Sequence, residues 1–581
     1  MSAANANIAR HLGLMAVAQP EACALKVPRG RTRRGEIDYL ALTFGELDAE
    51  VGAWHGRLAR AGLQPGDRAL VMVPPGLPLI ASVFALFSLG AVPVVIDPGM
   101  GLKNFLTCVA RSRPRVLVGV IFARLLSRIC RDAFRSVGVR VAARGSLTAR
   151  LTAPTPGAPA TGPAALAMRP GDLAAILFTS GSTGAPKGVC YEHGMFAAQV
   201  RLIRDAYGIT PGEVDLPLLP IFALFNPALG MTTIVPEIDP RRPAEVDPAK
   251  IVQAIRQENV TNSFGSPTLW QKIGEHCRAQ NLTLPSLRRV LCAGAPVPAT
   301  MWQSSSVFLP NGRLHSPYGA TEALPVSTVS SEEIAGGAGA GAEPAKGACL
   351  GRPLPEIEVK VISITDAPIA TLHEARELAG GDVGEIIVRG PVVTRTYDRL
   401  PEATALAKIP IASFTDPRPA AAAGRDSGAG EMAEAIPAPA VAVWHRMGDC
   451  GYVDASGCLW FCGRKAERVE TAHGTMHTEP CERVFRQHPR AARCALLALG
   501  ERPQQHPAIV VETTVKDSAE ARHLARELRA LGLQHEHTAA IKIFFFHPKF
   551  PVDVRHNAKI HRLALAKWVL TAKGYESDPK R

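Results

Sequence analysis

Ten consecutive residues combine small side chains, four hydroxyl groups and a lysine: Thr179, Ser180, Gly181, Ser182, Thr183, Gly184, Ala185, Pro186, Lys187 and Gly188. Small residues let backbone N–H groups approach an anion closely, hydroxyls add donors, and the Lys187 ammonium is a compact positive charge. The run follows an apolar segment, LAAILF, that is typical of a buried strand. We therefore predict a loop that holds a polyphosphate. It is not a Walker A loop, because Gly188 stands where Ser or Thr would bind magnesium.

This loop resembles the phosphate loop of the adenylate-forming superfamily, which includes acyl-CoA synthetases, luciferases and peptide-synthetase adenylation domains. The segment 291–296, with Gly294, Ala295 and Pro296, is similar to the adenine-binding turn of that family. The run Tyr318, Gly319, Ala320, Thr321 and Glu322 is similar to the motif whose aromatic ring stacks on adenine. The resemblance implies that Thr321 meets the α-phosphate of ATP and that Glu322 holds Mg²⁺.

Three later segments extend the resemblance in the family's order. Asp449, after Met447 and Gly448, resembles the aspartate that binds both ribose hydroxyls, and Gly463-Arg464-Lys465 resembles the hinge that leads into the mobile C-terminal domain. Glu467 stands where the family has its hinge residue, commonly Asp or Lys. Lys559 resembles the lysine that closes on the carboxylate and the α-phosphate, although Ala558 replaces the usual glycine before it.

Together these residues could support a reaction in which a carboxylate attacks the α-phosphate of ATP. Taken alone, Asp449 is as typical of a surface turn, and Tyr318 of a core aromatic. As a set, Lys187, Lys559 and Mg²⁺ would offset the repulsion between two anions, and Asp449 would fix the nucleoside through its ribose. We therefore expect an ATP-dependent, AMP-forming ligase that makes an acyl adenylate, with Lys559, Glu322, Thr321 and Lys187 as its catalytic residues.

The segment 219–231 differs from the acyl-CoA synthetase pattern, because Ala223 replaces the histidine of the common Pro-x-x-His motif. Its apolar side chains suit the wall of an alkyl pocket, although a buried structural segment has the same composition. The predicted acyl pocket comprises Phe222, Ala223, Phe225, Asn226, Gly265 and Ser266. With the runs 315–325 and 444–449, it resembles the olefin-biosynthesis branch of the superfamily.

Members of that branch are β-lactone synthetases, which adenylate a long-chain 2-alkyl-3-hydroxy fatty acid and let its own 3-hydroxyl displace AMP. Loss of the hydroxyl proton needs assistance, for which His315, His473 and His477 are candidates beside ordinary structural roles. The alternative is a long-chain fatty-acid–CoA ligase or an enzyme that loads acyl groups onto a carrier protein. A non-catalytic scaffold is disfavoured by the intact set of site residues.

The elements that must position these residues are of the α/β class. Residues 69–96 contain no charge, but prolines and glycines divide them into strand, helix and strand, which indicates a βαβ unit rather than a membrane span. Further strands are predicted at 174–178, 260–264 and 289–292, with helices at 196–207 and 248–259. The resemblance implies a large N-terminal domain, residues 1–463, with parallel-rich sheets in layers.

A small mobile C-terminal α+β lid domain, residues 464–581, is expected to follow. Its clearest element is a helix capped by Asp517 or Ser518 and ending at Gly532. Segments rich in Ala, Gly and Pro at about 151–171, 335–348 and 412–443 are predicted to be mobile insertions. The third is absent from the branch pattern.

Composition sets the remaining bounds. The chain has 581 residues, 47% of them hydrophobic and 20% charged, which excludes collagen, a coiled-coil rod and wholesale disorder. Its net charge of +13 would suit nucleic acid or an anionic membrane, but scattered basic residues disfavour nucleic acid. Twelve cysteines without C-x-x-C spacing predict unpaired thiols. A short apolar run near residue 12 is marginal for a secretory signal, so we expect a cytoplasmic protein. The resemblance implies an assembly with other olefin-pathway enzymes.

Overall fold

The computed structural model describes residues 5–143, 162–179, 185–239, 245–338, 347–411, 442–491, 493–552 and 560–577. Strands and helices are numbered in chain order. The predicted insertions fall largely outside these ranges, as do Lys559 and the loop residues Ser180, Gly181, Ser182, Thr183 and Gly184.

A six-stranded sheet carries the segment that leads into the phosphate loop. Its order is β6 (Val139–Ala142), β5 (Val116–Gly119), β3 (Arg68–Met72), β4 (Val92–Ile96), β7 (Leu173–Thr179) and β8 (Lys187–Glu192). All pairs are parallel except β7 and β8, in which Thr179 pairs with Lys187. The βαβ unit predicted from the uncharged run is confirmed as β3, helix α3 (Leu77–Ser88) and β4.

The second, larger sheet has 14 strands among the described residues, and its centre is parallel. Its strands are β1 (Cys23–Arg31), β2 (Ile37–Thr43), β9 (Val214–Pro217), β10 (Thr232–Ile234), β11 (Asn262–Gly265), β12 (Arg289–Cys292), β13 (Arg313–Ala320), β14 (Ala323–Ser330), β15 (Ala348–Pro353), β16 (Glu358–Ile362), β17 (Gly384–Arg389), β18 (Lys408–Pro410), β19 (Val443–Val453) and β20 (Leu459–Arg464). Beyond β13 every neighbour is antiparallel, so the predicted parallel sheet is mixed.

Helices cover the sheets and bury the large apolar side chains. The first ten are α1 (Arg10–Ala18), α2 (Phe44–Arg60), α3, α4 (Leu102–Ser112), α5 (Ile121–Ile129), α6 (His193–Tyr207), α7 (Asn226–Leu229), α8 (Pro248–Gln257), α9 (Pro267–Ala279) and α10 (Ala299–Phe308). Two short ones follow, α11 (Ser331–Glu333) and α12 (Pro401–Ala407). Trp54, Trp270 and Trp444 are among the largest fully buried side chains.

The last part of the chain forms a smaller α+β unit, as predicted. It contains a hairpin, β21 (Val469–Thr471) and β22 (Gly474–Met476), and a sheet in the order β23 (Cys494–Leu499), β24 (His506–Glu512), β25 (Ile543–His547) and β26 (Tyr575–Glu576). Its helices are α13 (Thr478–Phe485), α14 (Ser518–Gly532) and α15 (Arg562–Val569). The carboxylate of Asp517 caps α14 by accepting hydrogen bonds from the backbone N–H groups of Ala519 and Glu520.

Two sequence expectations of a more general kind are also met. The twelve cysteines are unpaired. Within the described ranges, every helix is too short or too polar to cross a bilayer.

Candidate active site

Four neighbouring parallel strands, β9, β11, β12 and β13, end at one edge of the larger sheet. Carboxyl ends of parallel strands are where α/β folds place their ligand sites. The chain leaves β9 toward Phe222 and Ala223, β11 ends at Gly265, β12 leads to Gly294, and Tyr318 lies near the end of β13. The topology therefore brings the predicted acyl pocket, the adenine turn and the stacking aromatic to the same edge.

Tyr318, Asp449 and Arg464 form one polar group. The Tyr318 phenol donates a 2.6 Å hydrogen bond to Oδ2 of Asp449, and Nη1 of Arg464 lies 2.8 Å from Oδ1 in an ion pair. Asp449 and Arg464 are also register partners across β19 and β20. Burial and then the neighbouring Asp449 raise the pKa of Tyr318, and Asp449 raises that of Arg464.

The Asp449 carboxylate keeps unused capacity as an acceptor. The residue is 4% exposed, and within the described part of the chain Oδ1 has the ion pair with Arg464 but no hydrogen bond. A buried carboxylate oxygen in that position is stabilised further by a well-aligned donor from a ligand. A ribose hydroxyl is a donor of the required kind, so the geometry fits the nucleoside role that the sequence predicts.

Glu322 is held by a segment that sequence reasoning missed. Residues 394–398 run between β8 and Glu322, and the backbone N–H of Thr394 donates a 2.8 Å hydrogen bond to the Glu322 carbonyl. The Tyr397 phenol donates a 2.8 Å hydrogen bond to Oε1 of Glu322. Nζ of Lys187 lies 4.8 Å from the centre of the same ring, within cation–π distance. Tyr397 thus links Glu322 and Lys187, two of the four predicted catalytic residues.

Lys408 lies directly behind this group. Its ammonium is buried, donates a 3.0 Å hydrogen bond to Oγ1 of Thr394 and lies 5.8 Å from the centre of the Tyr397 ring. Burial lowers the pKa of Lys408 to about 7, although Glu322 acts in the opposite direction. The only sequence signal was a single charge between apolar Ala407 and Ile409.

The residues around Glu322 fit magnesium in one specific way. Among the described residues, no three His, Cys, Asp or Glu side chains converge to hold a metal ion. Mg²⁺ is commonly bound by one or two carboxylates together with substrate phosphates and water. Glu322 is a half-buried carboxylate beside Lys187, so it suits an ion that arrives with a polyphosphate.

The neighbours of Glu322 explain the rest of that motif. A side chain at Gly319 would place its Cβ 2.5 Å from the carbonyl oxygen of Ala323, so this tight turn requires glycine. The carbonyl of Thr321 accepts a hydrogen bond from the Tyr191 phenol. Thr321 is half-buried, and its backbone is fixed by this contact.

The predicted acyl segment divides into an apolar wall and a polar support. The ring of Phe222 stacks on that of Phe264, with their centroids 3.8 Å apart. The ring centroids of Phe225 and Phe196 are 6.1 Å apart. Ala223, which lies between Phe222 and Phe225 in the sequence, is buried. Asn226 instead donates hydrogen bonds to Oδ2 of Asp215, at 2.9 Å, and to Thr233 Oγ1, at 2.8 Å. Its amide therefore supports the wall from behind.

Gly265 and Ser266 also have structural tasks. A Cβ at Gly265 would lie 2.9 Å from Nε1 of Trp270. The Ser266 hydroxyl is buried and accepts a hydrogen bond from the backbone N–H of Leu269, which caps α9. At the end of β12, Gly294 and Pro296 are exposed and Ala295 is half-buried, so the predicted adenine turn is accessible.

Ion pairs fix the two sides of the predicted hinge. Nζ of Lys465 lies 3.0 Å from Oε1 of Glu385 in β17. Oε2 of Glu467 lies 2.8 Å from Nε of Arg562 in α15, and burial raises the pKa of Glu467. Lys465 is thus paired with the larger sheet, whereas Glu467, two residues later, is paired with a helix of the smaller C-terminal unit.

The three candidate histidines do not gather near Glu322. His315 faces a cavity of about 870 Å³ at the amino-terminal edge of β12 and β13, and burial lowers its pKa to about 4. Burial also lowers the pKa of His477 to about 4, and its Nδ1 has no hydrogen-bond partner in the described part of the chain. His473 is exposed beside the turn of the β21–β22 hairpin.

Comparisons with known proteins agree with this arrangement. The profile of the family described as AMP-binding enzyme matches residues 17–398. The chain is 41% identical over 570 residues to the olefin beta-lactone synthetase of Xanthomonas campestris pv. campestris, covering 97% of each protein. It is 41% identical over 571 residues to the olefin beta-lactone synthetase of Stenotrophomonas maltophilia, covering 97% of this chain and 98% of that protein.

A solved structure supports the fold independently. ATP-bound MatB from Rhodopseudomonas palustris superimposes with a TM-score of 0.72 at 21% identity, covering 97% of this chain and 99% of that one. The chain therefore belongs to the AMP-binding family of adenylate-forming enzymes and, within it, to the olefin beta-lactone synthetases.

Proposed function

We propose that this enzyme is an ATP-dependent β-lactone synthetase that acts on a long-chain 2-alkyl-3-hydroxy fatty acid. The observation that carries the proposal is the convergence of Tyr318, Asp449, Glu322 and Lys187 beside an apolar wall, in a chain 41% identical to two olefin beta-lactone synthetases. AMP and diphosphate leave during the reaction.

In the first half-reaction the substrate carboxylate attacks the α-phosphorus of ATP, and the bond to diphosphate breaks. We assign ribose binding to Asp449 and Arg464, adenine stacking to Tyr318, and further adenine contacts to Gly319, Gly294, Ala295 and Pro296. Lys187, with the loop residues Thr179, Ser180, Gly181, Ser182, Thr183 and Gly184, binds the phosphates. Thr321 and Lys559 meet the α-phosphate, and Glu322 would hold Mg²⁺, which would supply positive charge to the phosphates.

In the second half-reaction the 3-hydroxyl oxygen of the same molecule attacks the acyl carbon. The bond from that carbon to the AMP oxygen breaks, the hydroxyl loses its proton, and a four-membered lactone closes. Holding the hydroxyl against the carbonyl makes the step intramolecular. Coenzyme A is not required.

The acyl pocket is assigned to Phe222, Ala223 and Phe225, with Asn226, Gly265 and Ser266 as its supports. The small side chain of Ala223 leaves room where a histidine would project. We also propose residues 1–463 and 464–581 as the two domains, Glu467 as the pivot residue between them, the cytoplasm as the location, and other olefin-pathway enzymes as partners.

Mass spectrometry of the products tests the proposal. The purified protein is incubated with ATP, Mg²⁺ and a 2-alkyl-3-hydroxy fatty acid, with and without coenzyme A. A product lighter than the acid by one water, formed with AMP and without coenzyme A, is expected. A thioester formed only with coenzyme A would instead make the enzyme a fatty-acid–CoA ligase, and transfer only to a carrier protein would make it a loading enzyme.

A further inference from the structure

The outer face of α5 presents four large apolar side chains to solvent. Ile121 is 68% exposed, Phe122 65%, Leu125 54% and Ile129 70%. Because successive helix residues are turned by about 100°, these four share one continuous arc of the helix. The residues that anchor α5 to the protein, Ala123 and Ser127, are buried on a different arc. A contiguous apolar patch of this kind commonly marks an interaction surface.

Arginines border the apolar arc. Arg124 and Arg128 lie on the adjacent arc of α5, and Arg131, Arg135 and Arg140 follow within twelve residues of its end. Between residues 120 and 161 the sequence has seven arginines and a single acid, Asp132. The local charge is therefore strongly positive.

These arginines are not neutralised within the described part of the chain. Arg128, Arg131, Arg135 and Arg140 line a cavity of about 440 Å³, together with Ser127, Phe134 and Val137. The hydrogen bonds that Arg131 and Arg140 donate within the described residues go to neutral oxygens. Arg131 donates to the carbonyl of Arg128, and Arg140 donates to the hydroxyl of Ser127 and the carbonyl of Val137. Nε of Arg124 is buried and has no hydrogen-bond partner among the residues that the structure describes. The pocket thus offers several guanidinium groups to an anion.

We propose that this face of the protein, formed by α5 and the arginine-lined cavity behind it, docks on the surface of an anionic phospholipid bilayer. Apolar side chains beside a cluster of cationic ones on a short helix are the arrangement of interfacial helices. Ile121, Phe122, Leu125 and Ile129 enter the boundary between headgroups and acyl chains, and the arginines bind lipid phosphates. The apolar arc favours lipid over nucleic acid, which offers no apolar surface of that shape.

The docking surface is independent of the proposed reaction. It lies at the β6 edge of the six-stranded sheet, whereas the strands that flank the phosphate loop, β7 and β8, lie at the opposite edge of that sheet, and Tyr318 and Asp449 belong to the larger sheet. Variants of α5 are therefore expected to change vesicle binding while the rate with dissolved acid stays constant. Failure of either proposal leaves the other intact.

Vesicle flotation with the full-length protein tests the proposal. Binding is compared between vesicles of pure phosphatidylcholine and vesicles that contain one third phosphatidylglycerol, at low and high salt. We expect binding to the anionic vesicles only, weakened by salt. Equal recovery with both vesicle types, or none with either, overturns the proposal.

Matched variants locate the surface. The double substitution Phe122→Ser with Leu125→Ser is expected to reduce binding to anionic vesicles about tenfold or more. Its control is Leu14→Ser with Val17→Ser, which removes two exposed apolar residues, 60% and 84% exposed, from the equally long helix α1. Equal losses in both pairs would contradict a specific role for α5.

A second pair of variants distinguishes the effect of net charge from the effect of where the arginines lie. Arg131→Gln with Arg135→Gln is expected to weaken binding about tenfold or more, since each arginine near the surface contributes substantially. Arg522→Gln with Arg526→Gln, on the exposed side of α14, changes the net charge equally and is expected to have little effect. Sedimentation analysis compares the unmodified protein with the Phe122→Ser, Leu125→Ser variant. If the unmodified protein is a dimer that does not bind vesicles, and the variant is a monomer, the proposal is overturned and the face is a contact between two copies.

Discussion

The phenol of Tyr318 and the carboxylate of Asp449 are joined by a 2.6 Å hydrogen bond. They come from strands β13 and β19, which are separated in the sheet by β14, β15 and β20. The aromatic ring assigned to adenine and the acid assigned to ribose are therefore held as one unit.

Substitutions at Tyr318 and at Asp449 should show how much each residue contributes to ATP binding. Tyr318→Phe keeps the ring and removes one hydrogen bond, so we expect the KM for ATP to rise about two- to tenfold. Asp449→Asn removes the charge that Arg464 faces, and we expect a loss of about ten- to a hundredfold in kcat/KM for ATP. ATP–diphosphate exchange measures both, with melting temperatures as a control for folding. An unchanged KM for ATP in both variants would refute the assignment.

Tyr397→Phe should weaken the use of magnesium. The substitution keeps the ring beneath Lys187 but removes the hydrogen bond that orients Glu322. Loss of such an orienting partner commonly costs ten- to a hundredfold in metal affinity or activity, so the Mg²⁺ concentration for half-maximal rate should rise about tenfold or more. Tyr191→Phe is the control, because that phenol contacts the carbonyl of Thr321 and not the Glu322 carboxylate. The same shift in both variants would contradict a specific role for the Tyr397 hydrogen bond in orienting Glu322.

Enlarging Ala223 should change substrate length. Ala223 is 4% exposed among Phe222 and Phe225, and the proposed acyl-pocket assignment predicts that the ring of Ala223→Phe takes up space in that pocket. We expect the rate with long-chain 3-hydroxy acids to fall at least tenfold while short-chain acids retain most of their rate. Competition between a long and a short acid, followed by product analysis, measures the ratio. An equal loss with both acids would indicate misfolding rather than a narrower pocket.

His193 should contribute to the acid lability of the fold. Its side chain is fully buried, both ring nitrogens lack hydrogen-bond partners in the described chain, and burial lowers its pKa to about 4. Between about pH 6.5 and pH 4 the unfolded state binds a proton that the folded state does not, so the free energy of unfolding falls as the pH falls. One such histidine accounts for about 3 kcal/mol at pH 4.

His193→Phe should reduce this pH dependence while keeping the aromatic contact with Phe87. Urea unfolding at several pH values measures it. His523→Gln, an exposed position on α14, is the control and should leave the slope unchanged. If His193→Phe and the unmodified protein lose stability in parallel below pH 6.5, the histidine is not responsible.

Motifs with a fixed local shape were predictable from the sequence. Gly319 lies where the backbone of Ala323 passes closely, and such a constraint leaves a local sequence signature. Two of the four strands that end at the site, β11 and β12, were also predicted from short apolar runs, whereas β9 and β13 were not. Strand β12 was predicted at its observed bounds.

Long-range partners were not predictable in this way. Tyr397 reaches Glu322 because Tyr397 itself forms an isolated β-bridge with Val189, and Val393 forms one with Ala323. A single bridge has no periodic sequence pattern from which it could be predicted. Lys408 is the first residue of β18, and its burial depends on pairing with His445 in β19. A single charged residue in a short apolar segment looks the same whether it faces solvent or the interior.

The pairing of Asp449 with Arg464 across β19 and β20 also bears on the proposed hinge, because it fixes the chain just before that hinge. A backbone ladder clamps the chain up to Arg464, and the side chain of that residue returns to the carboxylate that we assign to ribose. On the proposed domain assignment, the nucleotide anchor therefore belongs to the N-terminal unit, and Lys559 belongs by sequence to the C-terminal unit. Rotation of the C-terminal unit beyond Arg464 would then bring different surfaces to an adenylate that stays bound to the N-terminal unit.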